Sequence, residues 1–242
     1  MSLLYGINVV LETLNSSGRQ VERVCVQRDL RNRRVQQIID LARERHVPVS
    51  FEDKVWLDRK SEAAGHQGVV CFVAETEISS VDQILNQAKA PGLVVVLDGI
   101  EDPQNLGAIL RSAEIAGVDG VFIPERRSAG LSPGAIKASA GAASHIKVSR
   151  VPNTARLVDS LKDQGYWVTG LEADAGLLPW KADFTRPTAL VLGNERSGLH
   201  RLIREKCDFL VAIPMRGKTS SYNVSVAAGI VLYEVLRQRI PQ

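Results

Sequence analysis

The chain has 242 residues, 45% of them hydrophobic, enough for one large domain or two small ones with real cores, which excludes a disordered chain. The longest purely aliphatic stretch, residues 93–97, falls far short of the roughly 18 apolar residues a membrane-spanning helix needs, and no secretory signal is visible from Met1 to Gly6, so a soluble, cytoplasmic protein with no membrane partner is expected. A formal net charge of +3 is too mild to announce a nucleic-acid partner, and the isolated Cys25, Cys71 and Cys207 argue against both a disulfide framework and a metal site.

In chain order, periodicity predicts a helix over 6–14, a strand over 21–26, and a helix over 35–45 with Val35, Ile38, Ile39 and Ala42 at helical spacing. A strand over 47–51, a helix over 53–63 and, after the turn Gly65-His66-Gln67-Gly68, a buried strand over 69–73 complete a small α/β module. Between Arg19 and Arg34 six arginines (Arg19, Arg23, Arg28, Arg31, Arg33, Arg34) stand against Glu22 and Asp29, a local excess of +4. Such a cluster holds phosphates or is simply a solvated helix entry, and the pattern alone leaves both open. His66 and His145 follow small-residue turns and read as structural.

Residues 74–91 are polar, with Ser80 and Gln83 spaced as a capping box for one short helix before Ala90-Pro91-Gly92 breaks it. The expected domains are therefore 1–74 and 92–242, joined by a linker over 75–91. The second part alternates strand and helix: strands over 93–97, 120–123, 146–148, 167–171, 189–192 and 209–213, and helices over 105–116, 135–140, 154–164, 199–206 and 222–239. That alternation predicts an α/β fold with a mainly parallel sheet covered on both faces. Yet no two of the 19 glycines are spaced i, i+2, and neither a P-loop nor a G-x-S-x-G elbow occurs. A Rossmann dinucleotide site therefore has no place to sit.

Three segments carry polar residues where packing does not ask for them. The first, Asp102-Pro103-Gln104-Asn105-Leu106-Gly107 through Arg111, leaves a buried strand and enters a helix. Arg111 lies six residues beyond Asn105, close to two turns, so the two are expected to share a side; an ordinary cap with a surface arginine is the alternative. The second, Gly193-Asn194-Glu195-Arg196-Ser197-Gly198, runs an apolar strand into a glycine-bounded polar turn. In the third, Pro214 ends a strand, Gly217 opens a loop, and Ser220 or Ser221 begins a helix with Asn223, Ser225, Ala227 and Ala228 all compact.

Together these segments resemble the three motifs of the SpoU (TrmH) family, ribose 2'-O-methyltransferases of the SPOUT superfamily. Asp102, Pro103, Asn105, Gly107 and Arg111 match the first motif, Gly193, Glu195 and Gly198 the second, and Ile213, Pro214, Met215, Gly217, Ser221, Asn223, Val224, Ser225 and Ala227 the third. Tyr222 departs from the leucine usual in the family. The segments 5–12 and 66–68 extend the likeness to the substrate-binding domain of the subgroup that methylates guanosine in 23S ribosomal RNA.

The resemblance implies a C-terminal parallel-sheet domain with a deep trefoil knot, an N-terminal domain like the ribosomal protein L30e, a homodimer, and S-adenosylmethionine bound in the knot without a glycine-rich turn. It implies catalytic roles for Asn105, Arg111, Glu195, Ser221 and Asn223. It also implies a cofactor site made by Leu171, Leu192, Gly193, Asn194, Ile213, Met215, Ser221, Tyr222, Asn223 and Ala227. RNA contacts are expected from Arg19, Arg23, Arg31, Arg33, Arg34 and Arg111, and no metal is expected. Because a guanidinium is normally always charged, Arg111 is expected to clamp a phosphate and stabilise a developing alkoxide rather than act as a base, with Asn105 holding either Arg111 or the ribose. The competing readings are the same chemistry on transfer RNA and a non-catalytic RNA-binding protein.

Overall fold

A computed structural model of the protein describes residues 2–15, 21–62, 65–73, 78–219 and 221–240. The chain divides into two compact units, Met1–Glu77 with Ala140–His145, and Ile78–Ser139 with Ile146–Gln242.

The first unit contains β1 (Ser2–Tyr5), α1 (Ile7–Asn15), β2 (Val21–Gln27), α2 (Arg33–Glu44), β3 (Val49–Glu52), α3 (Lys54–Lys60) and β4 (Val69–Val73). Its sheet has the order β1-β4-β2-β3, with β4 antiparallel to both neighbours and β2 parallel to β3, which leaves β3 at an edge. β1 has no counterpart in the sequence reading. Four residues carry too little periodicity to declare a strand, and pairing with β4, Tyr5 opposite Val70, is what defines it. Asn32 caps α2 by accepting hydrogen bonds from the Arg34 and Val35 amides, and Val35, Ile38, Ile39 and Ala42 form its buried face as the spacing predicts. Leu4, Val10 and Leu14 are buried as well, and α2 packs against α1 in a core that excludes water. His66 is structural: it is buried, its Nε2 lies 2.9 Å from Asp58 Oδ1, and its Nδ1 accepts the Gly68 amide. The segment 140–145 joins this unit although the sequence assigned it to the second domain. Gly141 comes so close to Glu12 that a Cβ there would overlap the carboxylate arm.

The second unit contains α4 (Val81–Asn86), β5 (Leu93–Asp98), α5 (Pro103–Ile115), β6 (Gly120–Pro124), α6 (Pro133–Ala138), β7 (Val148–Val151), α7 (Thr154–Asp163), β8 (Trp167–Leu171), β9 (Thr188–Gly193), α8 (Arg201–Lys206), β10 (Phe209–Val211) and α9 (Val224–Arg239). All six strands are parallel, in the order β10-β8-β9-β5-β6-β7. Val94, Val96, Phe122, Val168, Ala189 and Val191 pack with Ile84 of α4, Leu157, Val158 and Leu161 of α7 and Ile203 of α8. The alternate residues Val95, Leu97, Leu190 and Leu192 are equally buried, so both faces of the sheet are covered. The predicted capping box of Ser80 and Gln83 is present on α4. With Ile84 fully buried in the core, however, the stretch from Ile78 belongs to this unit and is not a linker. β7 begins at Val148 rather than at residue 146, because pairing with β6 starts there.

Candidate active site

In an all-parallel sheet every strand ends on the same edge, where open α/β sheets present their ligand sites. That edge is where β5 ends in Asp98, β8 in Leu171 and β9 in Gly193, with Asp98 and Gly193 paired in register. Three loops continue from it: the turn at 193–198, the segment from Ile213 to the start of α9, and the loop from β5 into α5.

The turn at 193–198 is held rigidly. Asn194 Oδ1 accepts the Arg196 and Ser197 amides at 2.9 and 3.3 Å, and its Nδ2 donates to the Gly99 carbonyl at 2.7 Å. The Asn194 and Gly198 backbones bond each other in both directions. A Cβ on Gly193 would fall on the Gly198 backbone, so only glycine permits this close return of the chain. Glu172, just past β8, accepts the Leu199 amide at 2.7 Å and ties the far end of the turn to the sheet.

Asn105, Glu195 and Asn223 are far apart in sequence and meet here. Asn105 sits in the first turn of α5, whose N-cap is Asp102 and whose N1 residue is Pro103. It is 9% exposed, and its Nδ2 donates to Glu195 Oε1 at 2.9 Å while its Oδ1 accepts from Asn223 Nδ2, also at 2.9 Å. Asn223 is the N-cap of α9 and accepts the Ser225 and Val226 amides. The polarity of this chain is forced from both ends. Backbone amides only donate, so Asn223 must turn its oxygen toward α9; an ionised carboxylate only accepts, so Asn105 must turn its nitrogen toward Glu195. One hydrogen-bonded line thus joins all three motif segments.

A cavity of about 350 Å³ opens beside this line. Leu171 and Leu192 at the strand ends, Ile213 and Met215 after β10, and Ala227 on α9 give it apolar walls; Gly193, Asn194, Ser221 and Tyr222 complete the predicted set. Of the ten residues expected to hold a cofactor, only Asn223 is not on its walls, because its side chain turns to Asn105. A second cavity of about 600 Å³ shares Asn194, Glu195, Arg196 and Ser197 with the first and is lined further by Asn105, Arg127 and His200. His200 was not singled out by the sequence. Its Nδ1 and its backbone amide lie 3.0 and 2.8 Å from Oδ2 of the buried Asp98, and an acid ending a fully apolar strand was the available signal. Glu172 was missed for want of any motif around it.

Two expectations need correction. Arg111 and Asn105 do not share a side: six residues at 3.6 per turn fall short of two full turns by about 120°. Asn105 is buried, whereas Arg111 is exposed, lines neither cavity and makes no side-chain hydrogen bond or ion pair with any described residue. It shares its face of α5 with the exposed Ile115, four residues on. The last helix starts at Val224 with Asn223 as cap, not at Ser221; Ser221 lies on the cavity wall before it, and Ser220 lies outside the described residues.

Apart from Arg111, the described arginines expected to meet RNA lie in the first unit. Arg23 stacks over the Phe72 ring at 4.7 Å, and Arg34 donates to Asn8 Oδ1 at 2.6 Å. Arg31 and Arg33 are exposed without side-chain partners among the described residues. Arg19 lies outside the described residues. Among the described residues no cluster of three His, Cys, Asp or Glu side chains is arranged to hold a metal ion, and no helix is long and apolar enough to cross a membrane.

Comparison with known proteins places this geometry. The model of the SpoU rRNA Methylase family matches residues 92–233, and that of RNA 2'-O ribose methyltransferase substrate binding matches residues 3–79. A Staphylococcus haemolyticus protein named as a TrmH family tRNA/rRNA methyltransferase is 42% identical over 98% of this chain and 96% of its own length. The SpoU methyltransferase AviRb from Streptomyces viridochromogenes, solved in complex with the cofactor AdoMet, superposes with a TM-score of 0.81 at 27% identity, over 98% of this chain and 90% of that one. A structure titled RNA 2'-O ribose methyltransferase gives 0.79 at 28% identity, over 98% and 88%.

Proposed function

The chain belongs to the SpoU rRNA Methylase family, and from that premise we propose that it transfers a methyl group from S-adenosylmethionine to a ribose 2'-hydroxyl of RNA, at a guanosine of 23S ribosomal RNA. The observation that carries this is the Asn223–Asn105–Glu195 line, which joins three motif segments beside a cavity of suitable chemistry. Retention of the whole line also speaks against a non-catalytic RNA-binding protein.

The cavity fits the cofactor. Its apolar walls at Leu171, Leu192, Ile213 and Met215 suit a flat base, the small Ala227 leaves room, and the backbone at Gly193 and Tyr222 offers hydrogen-bonding edges. When bound, the cofactor supplies an electrophilic methyl on a sulfonium. The protein's part is to bring the 2'-oxygen in line and to steady the charge that grows on it. Glu195, on the wall shared by both cavities, orients the polar groups between cofactor and RNA, and Asn105 fixes Glu195. Arg111 holds the target phosphate and stabilises the developing alkoxide, while phosphate or water takes the proton.

Arg111 does this across a homodimer. Val226, Ile230 and Tyr233 form an exposed apolar row on α9, and α9 packs on α5, which exposes Ile115 and Arg111. A face with that much exposed apolar surface supports burial against a second copy. Arg111, without a side-chain partner among the described residues, would then complete the partner's site. The knotted threading of the C-terminal segment, the L30e-like character of the first unit and a cytoplasmic location belong to the same reading.

The test is methylation of purified 23S rRNA and bulk tRNA with radiolabelled S-adenosylmethionine, followed by mapping of alkali-resistant 2'-O-methyl sites. Label at one 23S guanosine is the expected result. Label only in tRNA would select the rival substrate, and label on a base would overturn the chemistry.

A further inference from the structure

We propose that a pocket on the first unit, between the β3 edge and α2, takes a single unpaired nucleotide of the RNA and so makes this unit a reader of single-stranded structure. This rests on the function proposed above and adds the recognition element. The pocket has a volume of about 610 Å³, within the range of small-ligand sites. Its floor is apolar, with Val26 and Ile39 both buried. Phe51 on β3 stands at its wall and is 47% exposed, which leaves its ring open to a ligand in the pocket. Leu30 closes another side, and Gln27 and Gln36 bring amide groups to the rim.

The charges around it favour a phosphate. Arg31 and Arg43 line the pocket, are exposed, and make no side-chain hydrogen bond or ion pair with any described residue. Arg28 is fixed alongside by its Nε donating to the Phe51 carbonyl at 3.0 Å. Among the described residues Asp29 is the one acid on the lining. An open aromatic face flanked by unpaired guanidiniums matches what unpaired RNA offers: an unstacked base with a π-face and a phosphate beside it. A regular duplex keeps its bases stacked and offers neither. Phe51 would stack on the base, Arg31 and Arg43 would hold the adjoining phosphates, and the glutamine amides would meet the base edge.

The experiment uses the full-length protein and a fluorescent probe: a short single-stranded RNA carrying one 2-aminopurine, and the same strand annealed into a perfect duplex. Wild type is expected to quench the single-stranded probe and to bind it at least tenfold more tightly than the duplex. Phe51→Ala is expected to lose on the order of tenfold in single-strand affinity and most of the quench, with Phe51→Trp restoring both and neither variant changing the melting temperature. Arg31→Ala with Arg43→Ala should lower the salt slope by roughly 0.7 for each lost phosphate contact. If Phe51→Ala binds and quenches within twofold of wild type, the pocket is not a nucleotide site and its exposed ring serves something else, a protein partner for example. A wild-type protein that binds the probe but methylates no RNA would leave the pocket standing and sink the proposed function instead.

Discussion

The two units of this chain are built from the same alternation of strand and helix, yet they treat their polar residues in opposite ways. In the first, arginines lie exposed on strand, loop and helix alike, and Arg31, Arg33 and Arg43 have no protein partner among the described residues. In the second, Asn105, Glu195, Asn223, Asn194 and Glu172 are tied to one another or to backbone at the strand ends. The difference teaches what each is for. Unpaired exposed cations await an external anion and act through a screened, salt-dependent attraction. A satisfied polar network is already organised and pays little to hold reacting groups in place.

The largest expected effect tests this contrast at Arg111, an exposed arginine of the second unit that has no side-chain partner among the described residues. Arg111→Ala should lower turnover about 10²- to 10³-fold while calorimetric affinity for S-adenosylmethionine stays within twofold, and Arg111→Lys should rescue little because an ammonium lacks the planar fork. If the residue acts across a dimer, mixing Arg111→Ala with Glu195→Gln subunits should recover about a quarter of wild-type activity, since random pairing leaves one intact site in half of the dimers. No recovery would put Arg111 in its own subunit's site.

Next comes the network itself. Asn105→Ala and Asn223→Ala should each cost turnover, and the double variant should lose much less than the sum, with a coupling of about 0.5–3 kcal/mol. Additive losses would mean that the two amides do not act as one line. A smaller effect is expected in the first unit, where Arg33→Ala should weaken RNA binding a few-fold and reduce its salt slope by less than one, with cofactor affinity untouched. An unchanged slope would assign Arg33 to the solvated surface.

The smallest effect concerns Cys207 of the second unit, whose thiol is pushed from 9.0 up to about 12, chiefly by burial and then by the neighbouring Asp208. At pH 8 it should resist alkylation in the folded protein, as read by mass spectrometry, while the denatured chain labels readily. The sign of the linkage follows. The unfolded thiol ionises above about pH 9 and the folded one does not, so this residue's stability contribution is complete below pH 9 and fades as pH rises toward 12. Urea melts of wild type and Cys207→Ala at pH 8 and pH 10 should therefore converge at the higher pH.

Much of this protein is legible in its sequence because the signals are local. The 3.6 period of Val35, Ile38, Ile39 and Ala42, the capping box at Ser80 and Gln83, and the apolar strands opening each motif all depend on neighbours a few residues away, and each becomes the element it predicts. Of the ten residues that the resemblance assigned to the cofactor site, nine line the first cavity and the tenth, Asn223, lies in the network beside it.

What the sequence did not carry is whatever depends on direction and partnership across the chain. β1 exists because β4 lies beside it, the expected linker is part of a core because Ile84 finds Phe122 and Leu157, and 140–145 joins the first unit because Gly141 fits under Glu12. The spacing of Asn105 and Arg111 already puts them on different sides of α5, but only helix packing decides which of the two turns inward. The Asp98–His200 pair and the bond from Glu172 to the Leu199 amide join residues 102 and 27 positions apart. Side-chain chemistry and local period set which elements form and which groups are available for reaction; the closing of a parallel sheet, by bringing distant strand ends to one edge, decides which of those groups meet.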